Sequence, residues 1–104
     1  MVKKLDPIHP GEILLEEYMK PLGLTRQRVA ADLDVSVSRI SEIVRGERAI
    51  TGETALLFAE YFSTDARFWM NLQAHYELEV AEDAQTEMKR RPVRPHGLGM
   101  GATA

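Results

Sequence analysis

The sequence predicts an all-α fold of five helices, with a helix-turn-helix at its centre and a disordered C-terminal tail. Three observations point there. Apolar residues recur three and four apart in five successive segments, and no stretch alternates as a half-buried strand would. Residues 25–48, TRQRVAADLDVSVSRISEIVRGER, set two short helical patterns end to end with almost no loop between them. The last stretch, RPVRPHGLGMGATA, combines prolines and glycines with little core potential. The expected organisation is a flexible start at 1–8, one domain over 9–88, and a basic, glycine-rich tail over 89–104.

The first helix should open at His9-Pro10-Gly11-Glu12, because a proline in the first turn and an acid near the positive helix end both suit a start. Ile13, Leu14, Tyr18 and Leu22 form its apolar stripe, and Pro21 with Gly23 should stop it. Thr25 reads as the N-cap of helix two, in which Val29 and Leu33 face inward and the small Ala30 lets a neighbour approach. Asp34-Val35 is the turn. Ser36 caps helix three, Ile40 and Ile43 face the core, and Gly46 ends it. Thr51 caps helix four, with Ala55, Leu56, Ala59 and Phe62 inside. Asp65 caps helix five, where Phe68, Trp69, Leu72 and Tyr76 form one broad apolar face for the core and a dimer contact. The acidic stretch from Glu77 to Glu87 is expected to prolong that helix.

Composition excludes several classes. With 104 residues and 44% apolar residues the chain can bury one core, and without cysteine it has neither a disulfide scaffold nor a thiolate metal site. No window reaches the roughly 20 apolar residues of a membrane span. The start, MVKKLDPIHP, has two lysines but no apolar run after them, so a cytoplasmic protein is expected. His9, His75 and His96 share no metal-like spacing, and neither H-E-x-x-H nor G-x-S-x-G occurs, so no metal, cofactor, small-molecule substrate or enzymatic activity is expected.

Net charge is −3, but its distribution is uneven. Residues 22–50 hold 5 arginines against 4 acids, residues 51–88 hold 1 arginine against 8 acids, and residues 89–104 hold 4 basic groups and no acid. The helix-turn-helix and the tail are the positive segments. If Ile40 and Ile43 point inward, Val37 and Ser38 lie at the outer N-terminal end of helix three, with Ser41 and Glu42 one turn on. Those residue types suit base edges: serine donates or accepts, glutamate accepts from a cytosine amino group, and valine packs on a thymine methyl. Arg39 can reach a guanine edge or a phosphate. Arg26, Arg28 and Ser36 before the reading helix, with Arg45 and Arg48 after it, would hold phosphates and set register. The alternative from composition alone is a solvated polar helix in a plain helical bundle.

Three blocks settle which kind of helix-turn-helix this is similar to: HPGEILLEEYMKPLGLT at 9–25, VSVSRISEIVRGERAIT at 35–51 and FWMNLQAHYEL at 68–78. The region from Ile8 to Tyr76 that they mark, about two thirds of the chain, resembles the HigA-type antitoxins, a branch of the XRE, lambda-repressor-like regulators. The resemblance implies a homodimer on a palindromic double-stranded operator, repression of its own operon, and neutralisation of a basic, RelE-like mRNA-cleaving toxin. Arg26 stands where glutamine is common in the family, Val37 where arginine is frequent and Arg39 where a small polar residue is frequent, which leaves the operator sequence open. Gly52 and Ala66 replace prolines at the starts of helices four and five. Two other functions fit the same residues: an orphan XRE-type regulator with no toxin, and an interaction bundle that does not bind DNA. The acidic block Glu77, Glu79, Glu82, Asp83 and Glu87 would complement a basic partner or simply solubilise the helix.

Overall fold

A computed structural model describes residues 6–89 and 91–96. Among these residues there are five helical segments and no strand. The first, α1, runs over 10–22 and changes character along its length: an α-turn at Pro10–Ile13, a π-helical stretch at Leu14–Met19, and a closing α-turn at Lys20–Leu22. The others are α2 (Arg26–Leu33), α3 (Val37–Val44), α4 (Gly52–Phe62) and α5 (Ala66–Met88). The expectation for residues 1–5, 90 and 97–104 lies outside the described residues, and residues 91–96 have no regular structure.

The helix starts follow side-chain chemistry. Thr25, Ser36 and Thr51 each accept from the backbone N–H three residues on, and Asp65 from the N–H of Arg67. His9 caps α1 in the same way, its Nδ1 accepting from Gly11 N–H at 2.8 Å. The helix ends share one device, a residue in the left-handed region after the last turn: Gly23, Asp34, Gly46, Ser63 and Lys89. At Gly23 the N–H of Leu24 reaches back to Met19 and that of Gly23 to Lys20, closing the end.

Pro21 does not stop α1, contrary to the sequence reading. It sits inside the closing turn, and the N–H of Lys20 bonds five residues back, to Leu15. An ordinary α-turn would drive the proline ring against the carbonyl of Glu17, and the widened turn ahead of it lets the helix continue to Leu22.

The core joins Leu14 and Met19 of α1, Val29 and Ala30 of α2, Ile40 and Ile43 of α3, Ile50, Ala55 and Phe58 of α4 and its approach, and Trp69 of α5. Leu22 and Leu56, expected inside, are each 62% exposed. Ala55, Phe58 and Phe62 set the inward line of α4, and Leu56 stands off it. Trp69 is fully buried and ringed by Tyr18, Phe58, Phe62 and Phe68, while its Nε1 donates to Thr64 Oγ1 at 2.8 Å. Of the expected apolar face of α5, Trp69 therefore belongs to the core alone. Leu72 and Tyr76 are half-buried, Tyr76 edge-on to the His9 ring, and Phe68 is 37% exposed.

Candidate nucleic-acid interface

The segment 25–48 folds as a helix-turn-helix. α2 ends at Leu33, Asp34 takes a left-handed conformation (φ 59°), and Ser36 caps α3. Val35 N–H bonds back to Ala30 O at 3.0 Å, so the turn between the helices is closed by backbone bonds. α3 is held from behind by Ile40 and Ile43, both fully buried. That anchoring turns Val37 and Ser38 outward at its N-terminal end, Val37 being 41% exposed, with Ser41 and Glu42 half-buried one turn later.

The C-terminal end of α3 rests on the first turn of α1. A Cβ on Gly11 would stand 1.7 Å from the carbonyl oxygen of Ile43, so only glycine allows this contact. His9 belongs to the same junction: it caps α1 and its ring lies against Gly46. Burial lowers the His9 imidazole from its ordinary value, opposed by a hydrogen bond to backbone at Arg48.

Most of the arginines assigned to DNA are engaged within the chain. Arg39 is turned away from the outer face of α3: its Nη2 donates to Glu53 Oε1 at 3.0 Å and to Thr54 Oγ1 at 2.7 Å, tying α3 to the start of α4. Only 24% of its side chain is exposed. Glu42 accepts from Arg48 through both Nε (2.8 Å) and Nη2 (2.7 Å). Glu42 and Arg48, both assigned to DNA from the sequence, are thus paired with each other. Arg45 pairs with Glu47 at 3.1 Å, which raises its pKa.

Arg28 donates to Asp32 at 2.9 Å, and Tyr61 O–H donates to the same carboxylate oxygen at 2.5 Å. The Tyr61 hydrogen bond and then that of Arg28 hold the Asp32 carboxyl below its usual value, while burial and then Asp32 push the Tyr61 phenol up. Arg26 alone of the five arginines has no carboxylate partner among the described residues. Ser36 Oγ is occupied in capping the N–H of Arg39, at 3.1 Å.

Sequence reasoning missed Gly11, Glu53, Thr54 and Gln73. Gln73 is buried, accepts from Ile50 N–H and donates to Glu77, both at 2.8 Å, and so pins the α3–α4 connection to α5. Its place four residues after Trp69, on the buried line of α5, was the available signal.

A family model described as helix-turn-helix matches residues 15–69, more than half of the chain. The chain belongs to that family. Virulence-associated protein I of Dichelobacter nodosus is 53% identical over 79 residues, 76% of this chain and 73% of its own. Among solved structures, the Pseudomonas aeruginosa antitoxin HigA with the higBA promoter is 38% identical with a TM-score of 0.80, covering 86% of this chain and 97% of its own. An addiction-module antidote protein of the HigA family from Coxiella burnetii is 36% identical, with a TM-score of 0.80 over 88% of this chain and all of its own. These similarities place the chain in the HigA-type branch, a group of DNA-binding regulators and antitoxins and not of enzymes.

Proposed function

We propose that the protein is a homodimeric repressor that reads a palindromic operator with α3 and serves as the antitoxin of a toxin–antitoxin module. The observation that supports this best is the outward N-terminal end of α3. Val37 and Ser38 stand exposed on a helix whose opposite side is locked by Ile40 and Ile43, in a chain similar to an antitoxin solved with its promoter. In this reading Val37, Ser38 and Ser41 meet base edges. Arg26 is ready for phosphate, and Arg28, Arg39, Arg45 and Arg48 reach DNA by exchanging their carboxylates for it. Two copies would place their α3 helices in successive major grooves about 34–36 Å apart. Phe68, with Leu72 beside it, offers apolar surface for pairing.

A gel shift with the DNA upstream of the gene tests the reading. Ser38→Ala and Val37→Ala should each weaken specific binding by about 1 kcal/mol, with folding intact by circular dichroism. Unchanged binding by both would sink α3 as the reader. Toxin neutralisation, by stoichiometric capture of a basic RelE-like mRNA-cleaving protein, is tested by coexpression with the adjacent reading frame. The antitoxin role requires that the neighbour arrest growth alone and not when this chain is present.

A further inference from the structure

Across residues 22–53, five arginines are balanced by five acids, so the segment that faces DNA has no net charge. The balance is local. Arg39, Arg45 and Arg48 are met by Glu53, Glu47 and Glu42 at 3.0, 3.1 and 2.7 Å. All three carboxylates keep solvent contact, Glu53 being 76% exposed, so the pairs are labile and able to exchange partners. We propose that Glu42, Glu47 and Glu53 are specificity-determining residues, which hold these arginines away from arbitrary phosphates and release them only where operator contacts replace them.

The argument rests on the DNA-reading function and on counterion exchange. Non-specific affinity comes from phosphate neutralisation, and its dependence on salt counts the cations that DNA sheds. An arginine that leaves a carboxylate to take a phosphate frees an anionic group, which recaptures a cation and cancels part of that gain. The same carboxylate, left beside the duplex, is repelled by the backbone. Random sequence offers only phosphates and therefore gains little. An operator adds base contacts to Val37, Ser38 and Ser41, and these are enough to drive the exchange. Asp32 is a different case, because Tyr61 also donates to it, so that carboxylate keeps a partner when Arg28 leaves.

The test compares the wild-type chain with the triple variant E42Q/E47Q/E53Q and with E79Q/E82Q/E87Q, which makes an equal charge change on distal α5. Fluorescence anisotropy follows each on a random duplex of about 30 base pairs and on the upstream DNA, from about 50 to 300 mM salt. The first variant should bind the random duplex roughly tenfold more tightly, with a salt slope steeper by about 0.9 per freed arginine. It should lose discrimination between the two duplexes. The distal variant should change neither quantity more than about twofold. Each single glutamine variant should show part of the same shift, which keeps the test open should the triple variant unfold. Random-duplex affinity that stays at the wild-type value, or rises equally in the distal variant, would overturn the proposal. Absence of binding to either duplex by every protein would instead remove the DNA-reading function on which it stands.

Discussion

Replacing Gly11 by alanine sets a methyl group against the backbone of α3. The added Cβ would lie 1.7 Å from Ile43 O, 2.6 Å from Ile43 C and 3.1 Å from Val44 Cα. Contacts under 3.0 Å essentially never occur, so α1 and α3 must part by more than 1 Å, and no side-chain rotation can relieve it because every opposing atom is backbone. Overpacking of this kind costs about 1–3 kcal/mol. Displacing the His9 cap adds about 1 kcal/mol, and the better helix propensity of alanine returns about 0.5–1 kcal/mol. The net expectation is a loss of about 1–3.5 kcal/mol, which in a domain of this size lowers Tm by roughly 5–25 °C. Gly52→Ala is the matched control, since nothing stands within 4 Å of the added atom there. Urea unfolding followed by circular dichroism reads both variants. Equal midpoints for Gly11→Ala and Gly52→Ala would refute the close approach of α1 to α3.

Gln73→Leu leaves the buried N–H of Ile50 without an acceptor and should cost about 1–3 kcal/mol in the same assay; a loss under about 0.5 kcal/mol would deny Gln73 its pinning role. His9 has a lowered pKa in the folded chain, so the unfolded chain binds its proton more readily. Stability should therefore be full above the ordinary value of 6.5 and decline as pH falls from there through the folded value. His9→Asn keeps a capping group without the titration, and its stability profile between about pH 7 and 5 should be flatter; parallel profiles would exclude His9 as the source. Asp34 pays for a left-handed conformation at φ 59°, so Asp34→Gly should raise stability by about 0.5–1 kcal/mol with DNA binding unchanged, and a fall in the unfolding midpoint would contradict the strain argument.

Local chemistry was legible in the sequence. Thr25, Ser36, Thr51 and Asp65 cap the helices they were expected to cap, and Ile40 and Ile43 face inward, because a cap and a helical stripe are decided within a few residues. Leu56 and Phe58 show where periodicity loses its grip: in a nearly continuous apolar run, TALLFAEYF, several stripes are drawn equally well, and only packing against α5 chooses Phe58. Pro21 was misread because the rule against internal proline assumes an uninterrupted α-helix, whereas a π-helical turn precedes it. Around α3 the outward positions of Val37 and Ser38 follow from the helix phase. The partners of its arginines do not: Glu53 lies fourteen positions from Arg39, and nothing in local spacing announces a bridge between two helices. Gly11 was legible only as a member of a motif, since its role depends on a carbonyl thirty-two residues away.

The seat of Ile43 on Gly11, the closed turn before Ser36 and the burial of Ile40 and Ile43 grip α3 at both ends and from behind. If α3 is the proposed reader, a helix fastened at three points cannot shift its register or tilt to suit an imperfect groove. Any misfit between protein and duplex must then be absorbed by the duplex, as bending, twisting or a change of groove width. For such a reader, base pairs that it never touches still matter, because their stiffness sets how much of that distortion the site will accept.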